Sequence, residues 1–220
     1  MSGKLIVFEG VEGSGKTTQL RRCSEWLQTS GIGSEFGAIA QEISVVVTRE
    51  PGGTSLGLGL RKLLLEADSS PIQDRAELLL YAADRAQHVE EFLKRQLEKD
   101  AIILCDRYTD STIAYQGYGR GLDLKLIQQL NQIATDGLES NLTLWLDVDV
   151  ELGLNRARQR GTADRIEQAD LEFHKRVQQG FAALAASCPQ RIVRIDASKS
   201  EEEVHLAIQE ILRQWFNRWF

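Results

Sequence analysis

Short apolar runs alternate along the chain with longer stretches in which apolar residues recur every three or four positions. An apolar run of about four to eight residues is typical of a buried strand, and the longer spacing is typical of an amphipathic helix. The predicted strands are Leu5–Phe8, Ser44–Thr48, Ala101–Cys105, Leu142–Asp147 and Arg191–Ile195. Strands that alternate with helices predict βαβ units, in which one parallel sheet is covered by helices.

Two helices are well defined by their periodicity. A long helix is predicted before the third strand, with an apolar stripe that is either core or a subunit interface and carries Ile72, Ala76, Leu79, Ala83, Ala86, Leu93 and Leu97. The last helix begins with the capping-box pattern Ser200-x-x-Glu203. One side of that helix is expected to pack its aromatic end against the sheet and carries Val204, Ile208, Ile211, Trp215 and Trp219. The segment Thr29–Ser44 has no clear period and predicts an extended connection without chemistry.

Composition favours a single compact domain spanning residues 1–220, because 220 residues with 42% apolar content are enough for a sizeable core. The formal net charge of −6 argues against a nucleic-acid polymer as partner. A local cluster of arginines in such an acidic chain is therefore expected to bind a small phosphorylated ligand. The three cysteines are odd in number and lack C-x-x-C spacing, which favours reduced thiols in a cytosol-like compartment.

The amino-terminal segment has only a four-residue apolar run before Glu9, which is too short for a secretory signal, and no stretch approaches about 18 apolar residues. We therefore expect a soluble, cytoplasmic protein that has no membrane partner. His88, His174 and His205 fit no metal spacing, and we expect them at the surface or behind the functional site.

The most specific motif lies directly after the first predicted strand, where the chain fits the pattern G-x-x-x-x-G-K-[ST]. In this reading successive backbone amides cradle phosphates, Lys16 reaches the β- and γ-phosphates, and the Thr17 hydroxyl ligates Mg²⁺. The expected nucleoside triphosphate contacts are Gly10, Val11, Glu12, Gly13, Ser14, Gly15, Lys16, Thr17 and Thr18. The alternative is a glycine-rich turn between a strand and a helix, but the strand context favours the phosphate loop.

Asp106 follows the third predicted strand and should lie at the carboxyl edge of the sheet, where parallel sheets bind ligands. It can hold Mg²⁺ directly or through a water molecule. Taken alone, an aspartate in this position could equally cap a helix. Its coupling to the phosphate loop favours the metal.

The segment that begins at Asp106 resembles the D-R-[aromatic]-x-x-S-x-x-A-[FY] signature of thymidylate kinases. Further segments match that family in the same order, and the resemblance extends from Leu5 to about Phe181: the phosphate loop, Thr48–Thr54, Tyr81–Arg85 and Arg156–Glu167. The resemblance implies a three-layer α/β P-loop NTPase fold with a five-stranded parallel sheet and a short arginine-rich lid at about 156–167. It also implies transfer of the γ-phosphate of ATP, with Mg²⁺, to thymidine 5′-monophosphate (dTMP), and it suggests a homodimer.

Arg49 and Arg107 each follow an apolar strand. The resemblance places both on the 5′-phosphate of the acceptor, a role that suits arginine because its planar fork matches phosphate oxygens and stays protonated. For Arg49 the alternative is an ion pair with Glu50 or another acid.

The resemblance also assigns residues to the acceptor's base and sugar. Tyr81 would stack on thymine, and Arg85, one helical turn later, would donate to its carbonyl edge. Without the resemblance, Tyr81 is better explained as a core aromatic. Ser111, Tyr115 and Gln116 are placed by similarity around the base and sugar, with Tyr115 crowding the 2′ position of the sugar.

Glu12 lies inside the phosphate loop and is expected to face the acceptor sugar, where it can accept a hydrogen bond from the 3′-hydroxyl. The loop has no arginine, although some thymidylate kinases carry one there. The cation that stabilises the transition state must therefore come from the lid, with Arg160 as first choice and Arg165 as second. Arg156 is expected to stack on adenine. The alternative for any one of these arginines is a solvated basic face.

Two rival functions remain open on the sequence alone. A kinase for another monophosphate, or for a nucleoside, would share the loop and the lid. A non-enzymatic guanine-nucleotide switch would be expected to carry an Asn-Lys-x-Asp segment, and the sequence has no such tetrapeptide.

Overall fold

The computed structural model describes residues 3–29, 44–66, 71–159, 161 and 164–219. These residues form one parallel five-stranded sheet in the order β2-β3-β1-β4-β5. The strands are β1 (Lys4–Glu9), β2 (Val45–Arg49), β3 (Ile102–Asp106), β4 (Leu142–Asp147) and β5 (Ile192–Asp196). The predicted α/β class and the predicted strands are confirmed, each within one residue of its observed ends.

The central strand β1 is buried on both faces, which explains its continuous apolar run. Ile6 and Phe8 belong to the main core, and Leu5 and Val7 belong to a second cluster on the other face. This division follows from the two-residue period of a strand.

The helices cover both faces of the sheet. They are α1 (Lys16–Thr29), α2 (Ser55–Leu65), α3 (Asp74–His88), α4 (Lys94–Leu97), α5 (Thr109–Thr112), α6 (Leu124–Thr135), α7 (Val150–Arg158), α8 (Leu171–Ser187) and α9 (Glu201–Trp219). A π-helical segment, Val89–Leu93, joins α3 to α4, and a second one, Ile113–Gly119, continues α5. The predicted long helix is therefore one continuous rod with a π-helical turn inside it.

The predicted burial of that rod is wrong over its first half. Ala76, Leu79 and Ala83 are exposed, with Leu79 51% accessible. The fully buried positions of α3 are mostly polar: Glu77, Leu78, Asp84, Arg85 and His88. The helix turns this polar side inward because ion pairs and hydrogen bonds satisfy most of it there. The core interpretation of the stripe therefore fails, and the subunit-interface interpretation stays a prediction.

The capping box of α9 is confirmed. The Glu203 backbone amide donates to Ser200 Oγ over 3.3 Å, and the Ser200 amide donates to Glu203 Oε2 over 3.0 Å. Val204 and Ile208 are buried as expected, but the residues fully buried near the end of the helix are Leu212 and Phe216. Trp215 and Trp219 pack only partly against the core.

The surface half of the expectation for the histidines is wrong, because all three imidazoles are buried, and His88 meets the other half. His88 lies directly behind the functional cavity, where Nδ1 is 2.9 Å from Glu50 Oε1 and Nε2 is 2.7 Å from Thr48 Oγ1. His174 lies on α8 and His205 on α9.

The predicted connection Thr29–Ser44 cannot be compared in full. Residues 30–43 lie outside the described part of the chain, and only its two end residues are within it.

Candidate active site

The loop between β1 and α1 has the backbone that its glycines predict. Gly13 has φ of +69°, and a Cβ there would lie 1.9 Å from the carbonyl oxygen of Gly153. Only glycine fits such a position, since the backbone is left-handed and a neighbouring helix is in contact. The loop is thus held against α7, directly before the start of α1.

Lys16 folds back over this loop. Its ammonium donates to the carbonyl oxygens of Gly10 and Val11, each over 2.9 Å, and to Ser14 Oγ over 3.3 Å. Burial, together with the nearby Arg107 guanidinium, lowers the pKa of Lys16 to about 8. The charged form of such a buried lysine is stabilised when an anion binds beside it.

Thr17 and Asp106, the two residues predicted to hold Mg²⁺, are brought into contact. Thr17 Oγ1 donates to Asp106 Oδ2 over 3.0 Å, although 89 residues separate them. A hydroxyl and a carboxylate at the end of the phosphate loop are oxygen donors of the type that Mg²⁺ takes alongside waters and phosphate oxygens. No group of three or more His, Cys, Asp or Glu side chains able to hold a metal occurs within the described ranges.

Arg107 stands at the centre of the site with a left-handed backbone (φ of +70°). Its guanidinium pairs with the Glu12 carboxylate, donates to the carbonyl oxygen of Gly10 over 3.1 Å, and lies 4.8 Å from the centre of the Tyr115 ring. Tyr115 Oη also donates to Glu12, over 2.8 Å. Burial alone would raise the pKa of Glu12, but Arg107 and Lys16 lower it to about 2. Glu12 is therefore an ionised hydrogen-bond acceptor at any physiological pH.

Glu9 is a site-supporting residue that the sequence did not reveal. Its fully buried carboxylate accepts from the amides of Tyr108 and Ser111 over 2.9 and 3.0 Å and from Ser111 Oγ over 2.6 Å. Burial, with Asp110 nearby, raises the pKa of Glu9 to about 7. These bonds fasten the segment after β3 to the central strand and so fix the direction in which Arg107 points.

Arg49 is exposed on the cavity wall, at the end of β2 in register with Asp106. Beside it the structure adds Arg61 of α2, which donates to the carbonyl oxygen of Pro51 over 2.9 Å. Burial and the adjacent Arg49 lower the pKa of Arg61. Two neighbouring guanidinium groups make a local positive potential. Nothing in the sequence pattern of α2 pointed to Arg61, since it lies in no motif.

Arg85 is also at the cavity, yet most of its donors are already engaged. Within the described residues, four of its five N–H groups bond, and the acceptors are Glu50 Oε2, Thr112 Oγ1, Asn131 Oδ1 and the Tyr108 carbonyl oxygen. One N–H is left to meet a ligand. Arg85 therefore joins α3 to the segment after β3 in addition to any role in binding.

The remaining predicted acceptor residues line the same cavity: Tyr81, Ser111, Tyr115 and Gln116. Tyr115 is packed edge-on against Phe173 and Phe181 of α8. Arg107 donates to Ser111 Oγ over 3.1 Å. Tyr115 and Ser111 are thus held by neighbours from α8 and from the end of β3.

On the opposite side of the loop, the N–H edge of the Arg156 guanidinium is bonded to the segment after β5. It donates to the carbonyl oxygens of Ala197 over 2.9 Å and Ser198 over 3.4 Å. Lys199, Ser200 and Glu201 continue this wall. Sequence reasoning missed these residues, although their position just after a strand that ends at the same edge of the sheet was a usable signal.

Of the two lid arginines proposed for catalysis, only Arg165 lies within the described residues. Arg160, the first choice, lies outside the described residues, as do Thr162 and Ala163. Arg165, the second choice, does not line the described cavity: its guanidinium donates to Glu77 Oε2 over 2.5 Å and to the Leu64 carbonyl oxygen over 2.8 Å. Asp164, Ile166 and Glu167 of the same segment do line it.

Together these walls enclose one continuous cavity of about 900 Å³. It brings together the phosphate loop from Glu12 to Thr18, the Thr17 and Asp106 pair, and a guanidinium cluster of Arg49, Arg61 and Arg107. Such a cavity can hold two phosphorylated ligands end to end, with cations and amides around the junction.

Comparison with known proteins gives a consistent picture. The family model described as "Thymidylate kinase" matches residues 8–208. The thymidylate kinase of Nostoc punctiforme is 64% identical over 215 residues, which covers 97% of each chain. The thymidylate kinase of Nostoc sp. is 60% identical over 223 residues and covers 100% of both chains.

A solved structure extends the similarity to three dimensions. The crystal structure of thymidylate kinase from Ehrlichia chaffeensis superposes with a TM-score of 0.75 at 36% sequence identity, covering 97% of this chain and 100% of that one. Among the described helices, none combines the length and apolarity needed to cross a membrane.

Proposed function

The chain belongs to the thymidylate kinase family and phosphorylates dTMP to the diphosphate with ATP, in nucleotide biosynthesis; from that premise we propose how its residues divide the work. The observation that carries the proposal is the meeting of the phosphate loop with three arginines in one cavity. ATP lies on the loop side and dTMP on the arginine side.

On the donor side, the loop amides from Glu12 to Thr18 hold the phosphates of ATP, and Lys16 leaves the carbonyl oxygens of Gly10 and Val11 to reach the β- and γ-phosphates. Arg156 offers the flat face of its guanidinium to adenine, since its N–H groups are turned to the Ala197 and Ser198 carbonyl oxygens. Thr17 and Asp106 hold Mg²⁺, which when bound neutralises charge on the phosphates.

On the acceptor side, Arg49 and Arg107 grip the 5′-phosphate, and Arg61 adds positive charge beside Arg49. Glu12 accepts from the 3′-hydroxyl, a role supported by its ionised state and by its pairing with Arg107. Tyr115 fills the space at the 2′ position, Tyr81 stacks on the base, and the remaining N–H of Arg85 donates to a base carbonyl.

The chemistry consists of positioning and charge stabilisation. The acceptor phosphate oxygen is already a nucleophile and needs no strong base. The lid at about 156–167 closes over the junction and excludes water, which would otherwise hydrolyse ATP. Within the lid, Arg160 neutralises the charge on the transferred group, since Arg165 is engaged by Glu77.

We also propose that the chain is one kinase domain that works in the cytoplasm as a homodimer. The exposed apolar side of α3, with Ala76, Leu79 and Ala83, is the face that supports pairing, because removing apolar groups from water lowers the free energy of the dimer.

A panel of acceptors tests the substrate assignment. With ATP and Mg²⁺, we expect kcat/KM to be highest for dTMP among the common nucleoside monophosphates and nucleosides, measured by chromatography of the diphosphate product. Faster turnover of another monophosphate would overturn the acceptor assignment. A strong preference for GTP over ATP would overturn the donor assignment.

Substitutions of Arg160 and of Arg49 should change different kinetic constants. We expect Arg160→Ala to lower kcat about 100-fold, less than the 10³–10⁵ of a sole arginine finger, because Lys16 and Arg107 also supply positive charge at the cavity. The KM for dTMP should change little. Arg49→Ala is the matched comparison, since it removes the same group from the acceptor's side. Its main effect should be a higher KM for dTMP. If Arg160→Ala changes KM alone, Arg160 is a binding residue and the lid assignment fails.

A further inference from the structure

Glu77 of α3 is a fully buried carboxylate on which three donor side chains converge. Glu77 Oε1 accepts from Gln116 Nε2 over 2.8 Å and from Arg120 Nε over 3.3 Å. Glu77 Oε2 accepts from Arg120 over 3.2 Å and from Arg165 over 2.5 Å. Each oxygen thus has a different set of donors, with the amide on one side and the lid arginine on the other.

The charge state of Glu77 determines which way the Gln116 amide faces. Burial alone would raise the pKa of Glu77, but hydrogen bonds from Gln116, Arg120 and Arg165 lower it. An ionised carboxylate has no hydrogen to donate, so it can only receive the NH₂ group of Gln116. The carbonyl oxygen Oε1 of Gln116 must then face away from Glu77.

Gln116 Oε1 is the amide atom that Glu77 leaves free for a ligand, and Gln116 lies in the cavity wall. The side chain lines the cavity, and within the described residues Oε1 has no hydrogen-bond partner, although the residue is only 2% exposed. A buried hydrogen-bond acceptor in the wall of a binding cavity selects for a ligand group that carries an N–H or O–H.

We propose that Glu77 is a positioning residue for base discrimination: it fixes the Gln116 amide so that Oε1 accepts from the ring N3–H of thymine and repels the ring N3 lone pair of cytosine. This inference rests on the proposed binding of dTMP on this side of the cavity. Glu77 itself contacts no nucleotide and lies in no phosphate motif. It determines which hydrogen-bonding group of Gln116 faces the base.

The substitution Glu77→Gln reverses the readout. Its single carbonyl oxygen is attracted to Arg165 and Arg120 at the Oε2 position, which leaves its NH₂ group facing Gln116. Gln116 then turns its own carbonyl oxygen towards residue 77 and presents NH₂ to the base. That group pairs with the lone pair of cytosine and clashes with the N3–H of thymine.

The experiment measures kcat/KM for dTMP and for deoxycytidine monophosphate (dCMP) with wild-type enzyme and Glu77→Gln. We expect the dTMP-to-dCMP ratio to fall about tenfold or more, the usual effect of exchanging a paired for a mismatched buried hydrogen bond. An unchanged ratio in a folded variant overturns the inference. If the wild type itself does not phosphorylate dTMP, the proposed function fails instead, so the two failures are distinguishable.

A double-mutant cycle tests whether Glu77 acts through Gln116. In the Gln116→Ala background, Glu77→Gln should leave the ratio within about twofold, because the amide to be turned is gone. An equal fall in both backgrounds overturns the inference.

Asp110→Asn is the matched control for loss of a buried charge. Asp110 is 2% exposed and pairs with Arg191 through both oxygens, over 2.6 and 2.8 Å, without lining the cavity. We expect this variant to keep the wild-type ratio, and an equal fall there would overturn a specific role for Glu77.

If Glu77→Gln does not fold, Glu77→Asp takes its place. It keeps the charge but shortens the reach to Gln116, so the ratio should again fall, and an unchanged ratio overturns the inference.

Discussion

We expect Lys16→Ala to lower kcat for dTDP formation by about 10³-fold or more, because it removes the cation that meets the β- and γ-phosphates as charge develops. In the structure this ammonium is held at the loop by the Gly10 and Val11 carbonyl oxygens, so it needs only a short movement to reach the donor. Coupled detection of ADP with dTMP as acceptor measures the loss. Activity within tenfold of wild type would contradict the assignment of the phosphate loop.

Two controls isolate the role of Lys16. Lys175→Ala removes an exposed lysine of α8 that pairs with Glu172, and it should leave kcat unchanged.

The second control uses the pKa of Lys16, which is about 8 in the free enzyme. Bound phosphates raise that pKa, so above about pH 8 ATP binding should take up protons and ATP affinity should fall as the pH rises. Calorimetry in two buffers should detect this uptake in the wild type and not in Lys16→Ala.

The second large effect is expected at Arg107. Arg107→Ala should lower kcat/KM for dTMP about 10²–10⁴-fold, since two charge-assisted hydrogen bonds to a phosphate contribute roughly 1.5–3 kcal/mol each. The substitution also strips Glu12 of its ion-pair partner. Initial rates over a range of dTMP concentrations measure the loss, and thermal unfolding shows whether the variant remains folded.

The pairing with Glu12 offers a way to separate binding from structural support. Arg107→Ala combined with Glu12→Gln removes the unpaired charge, so it should recover stability but not dTMP affinity. If affinity returns in the double variant, Arg107 serves only to neutralise Glu12 and its proposed grip on the acceptor phosphate is wrong. Arg107→Lys should fall between the wild type and Arg107→Ala, because it keeps the charge and loses the planar fork.

The fold was predictable because its signals are local. The four apolar residues of β1 predict a strand by themselves, and the glycines of the following loop predict its left-handed backbone. Asp106 was also within reach, since the end of a buried strand places a residue at the carboxyl edge of the sheet. In each case the sequence within about ten residues contains the whole physical cause.

The apolar stripe of α3 shows where local signals mislead. Periodicity assigns Ala76, Leu79 and Ala83 to the inside, whereas the helix buries Glu77 and Arg85. The free energy that permits this comes from partners far along the chain, such as Asn131, 46 residues from Arg85. No pattern within the helix contains that information.

The sequence by itself determined the order of strands and helices, the phosphate loop and the family, because these depend on neighbouring residues and on motifs of fixed spacing. Only the tertiary structure decided which charged groups pair. It brought Thr17 to Asp106 and Arg107 to Glu12, and it added Arg61 and Glu9 to the site. The physical reason is that a buried charge is stable only beside partners that satisfy it, and those partners are chosen by the packing of elements that are distant in the chain.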